Sequence, residues 1–168
     1  MSLPSNRQRR RTAGAVLVLL SLLALAPATQ ADDDHRPAAV PPLPAYTQEC
    51  GSCHVAYPPG LLPAASWQRL MAGLPRHFGT DASLEPATAQ AIGDWLAQHA
   101  GSARKVQREP AAPPEDRISR SAWFQREHRE VSASTWALPA VKSAANCGAC
   151  HTRADQGDFS ERHLRLPR

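Results

Sequence analysis

The chain has 168 residues, with 19 lysines and arginines against 15 aspartates and glutamates, which gives a formal net charge of +4. Residues 1–31 contain four arginines and no acidic residue, so the remaining chain has 15 basic and 15 acidic residues and is formally neutral. That balance excludes nucleic-acid binding driven by overall charge. Roughly 137 residues remain beyond residue 31, and two domains of about 65 residues each would have marginal hydrophobic cores.

Residues 1–31 have the pattern of a secretory signal peptide. Four arginines precede an apolar run from residue 13 to residue 25, which is too short to cross a bilayer comfortably. Small residues at 26–28 and 29–31 provide candidate cleavage sites. We therefore expect an exported protein that loses this leader. A retained membrane anchor is the alternative.

Residues 32–44 are acidic and then rich in alanine and proline, which predicts a flexible tail. His35 lies in this tail and is expected to be solvated rather than bound to a metal. Residues 45–55 follow as a predicted helix that begins after Pro44. This helix carries the first of two short cysteine motifs.

The chain contains two copies of the sequence C-x-x-C-H, which is typical of a c-type haem attachment site. The copies comprise Cys50, Cys53 and His54, and Cys147, Cys150 and His151. In such a site the two thiols form thioether bonds to the haem, and the adjacent histidine binds the iron. The two copies use all four cysteines of the chain. The sequence therefore predicts two covalently bound haem c groups.

Structural zinc, a redox dithiol and plain disulfides are the alternatives for these cysteines. A zinc site would have to gather its ligands from segments about 90 residues apart in the chain, since it needs four of them. None of the three alternatives explains why a histidine follows each cysteine pair.

The rest of a predicted N-terminal haem domain, residues 45–101, contains two more helices. One begins at Ser66 and has apolar residues at the spacing i, i+3, i+4 and i+7. Those apolar residues are Trp67, Leu70, Met71 and Leu74. The other helix spans residues 84–98 and is expected to bury a stripe that includes Trp95.

Residues 102–116 are charged and then proline-rich, which predicts a linker. Beyond it, residues 117–168 are predicted to form a smaller C-terminal haem domain. A helix is expected at 120–131, and a last helix at 139–151 carries the second motif. Residues 152–168 and the segment between the two helices are expected to be irregular. Because both domains are small, we expect each haem to form much of its domain's core.

The residue on the second face of the first iron is predicted to be His77. Met71 is the only methionine besides Met1, so at least one haem lacks methionine ligation. Met71 is the rival ligand, but it lies on a packing stripe, where methionine more often fills a core. His77 follows the second helix in a loop that leaves its side chain free to turn. His99 is expected to cap the C-terminus of its helix.

The corresponding ligand of the second iron is predicted to be His128, which lies four residues after Phe124 on the apolar side of its helix. An ordinary interior histidine is the alternative interpretation of this residue. His163 is the other candidate ligand, and it is expected to be exposed.

These segments together resemble the soluble dihaem cytochrome c family of photosynthetic and other proteobacteria. The resemblance spans residues 46–168. It is carried by ECGSCH at 49–54, AYPP at 56–59, HFG at 77–79, DASL at 81–84, Trp123, His128, NCGACH at 146–151 and GDF at 157–159.

The resemblance implies a mainly α fold, with an N-terminal domain similar to class I cytochrome c and a smaller, irregular α-helical C-terminal domain. It implies that two histidines bind each iron, through His77 at the first haem and His128 at the second. It also implies that the protein passes electrons to an oxygen-binding monohaem cytochrome c and takes them from a membrane cytochrome b.

We therefore expect a periplasmic electron carrier with two low-spin haems of low potential, which is not an enzyme. Its partners are expected to be redox proteins, with no nucleic acid and no membrane insertion after removal of the leader. A dihaem enzyme of the peroxidase type is the alternative, and it needs one open iron with an acid–base group above it. A haem-based sensor would likewise need an iron ligand that leaves.

Overall fold

The computed structural model describes residues 40–167, and this part of the chain is helical, with isolated β-bridges but no β-strand. The α-helices are α1 (Pro44–Gly51), α2 (Ala64–Ala72), α3 (Pro86–His99), α4 (Arg104–Arg108), α5 (Ala122–Glu127) and α6 (Ala133–Trp136). Short 3₁₀ helices lie at Pro59–Leu61, Leu74–Arg76, Pro114–Asp116, Ile118–Arg120, Cys147–Ala149, Ala154–Gln156 and Glu161–His163. The prediction of a mainly α fold is confirmed.

The predictions for residues 1–31 and for His35 lie outside the described residues. No helix within residues 40–167 is both long enough and apolar enough to cross a membrane.

Helices α1 to α3 form the first part of the fold, and the three predicted helices are confirmed with shifted ends. Pro44 and Pro86 begin α1 and α3, where the missing backbone N–H of proline costs nothing. The Glu85 side chain caps α3 by accepting hydrogen bonds from its first backbone N–H groups. Helix α1 ends at Gly51, so the predicted extension to residue 55 is wrong.

A buried cluster joins these three helices. Its members are Tyr46, Leu62, Trp67, Ile92 and Leu96. Polar atoms of two of these residues fasten the segment between α1 and α2. The Tyr46 hydroxyl donates to the Tyr57 carbonyl at 2.6 Å, and Trp67 Nε1 donates to the Pro59 carbonyl at 2.7 Å. The segment that follows the first motif is therefore held against the core.

The segment predicted to be a linker, residues 102–116, contains structure of its own. It holds α4, and Ala103 and Val106 are buried in a second cluster with Trp123 and Phe124 of α5. A helix of five residues is too short to show a hydrophobic periodicity that distinguishes it from a charged loop. The division into haem domains at 45–101 and 117–168 stays a prediction.

The helix predicted at 120–131 is shorter in the structure. Ser121 caps α5 by accepting a hydrogen bond from the Phe124 backbone N–H at 3.2 Å, so the helix begins at Ala122. It ends at Glu127, because His128 has left the helical conformation and its ring bonds the Phe124 carbonyl. The predicted irregular segment after it contains α6.

The helix predicted at 139–151 is wrong. Only the 3₁₀ turn Cys147–Ala149 is helical in that segment. The Asn146 side chain donates to the Val141 carbonyl at 3.0 Å, and the Ser143 hydroxyl accepts from the Ala145 backbone N–H. Such local side-chain bonds compete with helix formation. Lys142 also has a φ of 63°, which no α-helix accommodates.

Candidate haem sites

The first cysteine motif lies across the C-terminal end of α1. Cys50 belongs to the last turn, and the chain leaves the helix after Gly51. The Ser52 hydroxyl donates to the Glu49 carbonyl at 2.9 Å and closes this turn. Cys50 is half-buried and Cys53 is exposed, so the pair reaches from the protein interior to the surface.

No disulfide joins any two of the four cysteines, all of which lie within the described residues. Burial raises the pKa of Cys50 to about 11, and it also raises the pKa of Cys147. Redox-active dithiols have lowered thiol pKa values. Cys50 and Cys147 therefore do not resemble the reactive thiol of a redox dithiol.

The structure brings His54 and His77 together. Their ring centroids are 6.3 Å apart, with 24° between the ring planes. His54 Nδ1 lies 2.7 Å from the Val55 carbonyl, which can only accept a hydrogen bond. Nδ1 therefore carries the proton, and Nε2 is left with the lone pair that a metal binds. We refer to Cys50, Cys53, His54 and His77 as the first site.

A tight turn after α2 presents His77. The 3₁₀ helix Leu74–Arg76 ends there, and the backbone reverses through Phe78 and Gly79, whose φ angles are 51° and 96°. Glycine adopts such angles freely, whereas phenylalanine rarely does. Burial lowers the pKa of His77, and His54 and Arg117 lower it further. The His77 imidazole is therefore neutral at pH 7 and can act as a ligand.

His128 and His151 form a second pair, with ring centroids 6.1 Å apart and 72° between the planes. His128 Nδ1 lies 2.8 Å from the Phe124 carbonyl and must donate to it. The His128 ring also stacks on the Phe124 ring at 3.9 Å. Both contacts orient Nε2 of His128 away from α5. We refer to Cys147, Cys150, His128 and His151 as the second site.

His151 has an unusual polar atom. Its Nδ1 is buried and has no hydrogen-bond partner among the described residues. Burial lowers the pKa of His151, with His128 and Lys105 lowering it further and Asp158 opposing them. A buried imidazole nitrogen without a partner is costly, so another group must offset that cost.

Both histidine pairs have the spacing of two ligands of one metal ion. A metal–imidazole bond is about 2.0–2.1 Å long, and a ring nitrogen lies roughly 1.1 Å from its ring centroid. Two imidazoles on opposite sides of one ion therefore have centroids roughly 6.3 Å apart. The observed separations are 6.3 Å and 6.1 Å. Each site thus combines two thiols with a histidine pair of suitable spacing, which fits haem c.

The zinc alternative needs four ligands gathered around one ion. Within residues 40–167, no group of three or more histidine, cysteine, aspartate or glutamate side chains is placed to hold a metal ion.

The rival ligands have other contacts. Met71 packs against the buried cluster of α1 to α3 and lies beside Gly93 of α3. His99 Nδ1 donates to the Trp95 carbonyl at 2.8 Å, as expected for a side chain that caps its own helix. His163 lies 3.5 Å from Asp158 and is only 29% exposed, so the expectation that it is exposed is wrong.

Tyr57 connects the two motifs, and the sequence analysis missed its role. Its ring stacks on His54, with centroids 4.8 Å apart, and its hydroxyl donates to the Ala145 carbonyl at 2.6 Å. Ala145 lies two residues before Cys147. A Cβ atom at Gly148 would lie 3.9 Å from the Val55 side chain. The two motifs are therefore neighbours in space. A tyrosine three residues after a C-x-x-C-H motif was the available signal.

Comparisons with known proteins relate the chain to one family. The family profile described as dihaem cytochrome c matches residues 46–159. A solved dihaem cytochrome c from Shewanella baltica OS155 is 38% identical, with a TM-score of 0.63, over 74% of this chain and 92% of that one. A solved dihaem cytochrome c from Rhodobacter sphaeroides is 42% identical, with a TM-score of 0.63, over 71% and 98%. No curated protein sequence matches the chain.

Proposed function

Because the chain belongs to the dihaem cytochrome c family, we propose that it is a periplasmic electron carrier whose two irons are each bound by two histidines. Membership of the family means that the chain carries two covalently bound haem c groups and serves electron transfer. The location, the ligands and the potential are our proposals.

The observation that carries the proposal is the spacing of the two histidine pairs. His54 with His77, and His128 with His151, have the ring separation of two imidazoles bound to one ion. The four cysteines would hold the two cofactors, and each histidine pair would bind one iron. Each haem would then supply a one-electron couple that needs no open coordination position.

Histidine in place of methionine on the second face of the iron lowers the reduction potential. The single methionine of the described residues packs against the core of α1 to α3. We therefore propose low-potential haems at both sites. Filled coordination also disfavours the peroxidase alternative, because a peroxide substrate would first have to displace a histidine.

The contacts of Tyr57 support transfer between the haems. This side chain touches His54 and bonds the chain just before Cys147, so the two motifs stay adjacent. Burial raises the pKa of Tyr57 to about 12, so its hydroxyl remains a hydrogen-bond donor at physiological pH. One haem can thus receive an electron and the other pass it on.

The ferric optical spectra of His77→Ala and His128→Ala holoproteins test the ligands. Each substitution should convert one of the two low-spin haems to high spin. Met71→Ala is the matched control and should leave both haems low-spin. High-spin haem in Met71→Ala, or unchanged spectra in both histidine variants, would reject the assignment.

A second test separates a carrier from an enzyme. The ferrous protein should bind carbon monoxide poorly, because both faces of each iron are filled. Hydrogen peroxide should oxidise it only once, with no turnover. Strong carbon monoxide binding at one haem together with peroxide turnover would favour the peroxidase alternative.

For the partners we propose an oxygen-binding monohaem cytochrome c as acceptor and a membrane cytochrome b as donor. The family resemblance supports both. Rapid mixing of the reduced protein with such a monohaem cytochrome should transfer electrons in a saturable way. The periplasmic location rests on the signal-peptide pattern of residues 1–31 and can be tested by cell fractionation.

A further inference from the structure

The turn that joins α4 to α5 has a strained backbone. Glu115 and Asp116 have φ angles of 56° and 55°, in the left-handed region that residues with side chains rarely adopt. Such conformations persist only where the surrounding structure imposes them, and they concentrate at functional sites. This turn precedes Arg117 directly.

A charged hydrogen-bond pair holds the turn in place. Arg69 of α2 donates to both carboxylate oxygens of Asp116, at 2.6 Å and 2.9 Å. Two parallel bonds of this kind fix direction as well as distance. The Asp116 side chain is only 13% exposed. The turn is therefore fastened to the helix that leads to His77.

The residue presented by this turn is Arg117. Its guanidinium carbon lies 3.9 Å from the centroid of the Phe78 ring, a cation–π contact. Phe78 follows His77 directly, and the two rings are 4.8 Å apart. Phe78 also has a positive φ and is 45% exposed. Two strained turns thus meet where a cation lies beside the first site.

The charges around Arg117 leave an excess of positive charge there. Glu115 accepts hydrogen bonds from both Arg117 and Arg120, so one carboxylate faces two guanidinium groups. At the second site the corresponding cation is Lys105, which has its own carboxylate, Glu127, at 2.7 Å. Asp158 adds a negative charge near His151. The first site therefore lies beside two guanidinium groups that share one carboxylate, whereas the charges near His151 oppose one another.

We propose that Arg117, held over Phe78, raises the reduction potential of the first haem above that of the second. The inference rests on the proposed binding of the first iron by His54 and His77. Reduction adds one negative charge to the iron, and a fixed cation nearby stabilises that state. Arg117 acts only through its positive charge and contacts no substrate. Transfer of one electron from a ferrous second haem to a ferric first haem would then be favoured.

Spectroscopic redox titration of the Arg117→Gln holoprotein tests this proposal. We expect a three- to tenfold shift of the first haem toward the ferric form, or about 30–59 mV at 59 mV per tenfold change in a one-electron couple. The midpoint of the second haem should stay unchanged. The low-spin haem that remains in His77→Ala identifies the second midpoint.

Arg120→Gln is the matched control. It removes the same charge and a bond to the same Glu115, but Arg120 does not lie over Phe78. Its effect on the first midpoint should be much smaller. Equal shifts in the two glutamine variants, or no shift in Arg117→Gln, would overturn the proposal.

Two more variants guard against loss of folding. Arg117→Lys keeps the charge and should keep most of the midpoint, while Glu115→Gln removes the neutralising carboxylate and should raise it. A midpoint in Arg117→Lys as low as in Arg117→Gln, or a fall in Glu115→Gln, would show that charge is not the cause. Failure of the proposed ligands is a separate result, because the wild-type ferric spectrum would then lack its low-spin form at the first haem.

Discussion

The two candidate sites use the same attachment motif in different protein surroundings. At the first site the motif ends a helix of a three-helix cluster, and the rings of His54 and His77 are nearly parallel, at 24°. At the second site the motif lies in a 3₁₀ turn, and the rings of His128 and His151 are nearly perpendicular, at 72°. The ring separations nevertheless agree within 0.2 Å. Ligand spacing is therefore preserved while the scaffold and the ring orientation change.

The strongest test of this comparison is the magnetic signature of each haem. Parallel imidazole planes split the iron d orbitals unequally, whereas perpendicular planes leave two of them nearly degenerate. We expect two ferric low-spin signals in low-temperature electron paramagnetic resonance, one rhombic and one with a large maximum g value.

The histidine variants assign these signals. His77→Ala should abolish the rhombic signal, and His128→Ala should abolish the large-g signal. Loss of the opposite signal in either variant would mean that the parallel rings belong to the second site and the perpendicular rings to the first. A single signal shared by both haems would mean that the ring orientations do not differ.

The next largest effect concerns the scaffold of the first site. Trp67 is 7% exposed and belongs to the buried cluster of α1 to α3. Trp67→Ala should lower the free energy of unfolding by about 3–5 kcal/mol, because it leaves a large cavity. Denaturant unfolding of the ferric holoprotein measures this loss.

Trp136 is the matched control at the second site. It is half-buried and its ring lies 6.1 Å from His128. Trp136→Ala should cost less stability than Trp67→Ala but should perturb the spectrum of the second haem. Equal losses of stability would mean that the two sites have equally packed scaffolds.

The sequence predicts the helices of the first region better than those of the second, because only burial of a helix face leaves a periodic pattern. The helical spacing of Trp67, Leu70 and Met71 predicted α2, because burial of one helix face leaves a periodic pattern. The helix predicted at 139–151 is wrong, because side-chain bonds of Ser143 and Asn146 hold a turn there and such bonds leave no periodic pattern.

Contacts between segments that are distant in the chain could not be predicted from the sequence either. The Tyr57–Ala145 bond joins residues 88 positions apart, and no local pattern specifies it. The contact of Arg117 with Phe78 is another case, because a charged, proline-rich segment predicted only a linker. His77 and His128 could be named as candidate ligands because the chain has few histidines and one methionine besides Met1, and the structure places each of them beside a motif histidine.

A smaller effect tests whether the two sites are coupled. Tyr57→Phe removes the hydroxyl that bonds the Ala145 carbonyl and should cost about 0.5–1.5 kcal/mol of stability. Because this bond joins the segments that carry the two motifs, the rate of electron exchange between the haems should also fall. Stopped-flow or photochemical reduction followed at both haems measures this rate.

Tyr46→Phe is the control for this coupling. It removes a hydroxyl that donates at the same 2.6 Å distance, but to the Tyr57 carbonyl within the first region. It should cost similar stability and leave the exchange rate unchanged. An equal change of rate in both variants would mean that the Tyr57 hydroxyl does not maintain the relation between the sites.

The smallest expected effect is a pH dependence that belongs to the first site. The Arg69 hydrogen bonds lower the pKa of Asp116 below its ordinary value of 3.8. Because the folded-state pKa is the lower one, the stabilisation is fully present above the unfolded-state pKa and is lost as the pH falls through the folded-state value. Asp116→Asn should therefore lower stability at pH 7, and its effect should decrease as the pH falls below 3.8 and vanish below the folded-state pKa. Asp94→Asn, at an exposed position of α3, is the matched control and should change stability little. By the charge argument made for Glu115→Gln, Asp116→Asn should raise the first midpoint and leave the second unchanged. A change confined to the midpoint of the second haem would instead mean that this turn acts on the second site.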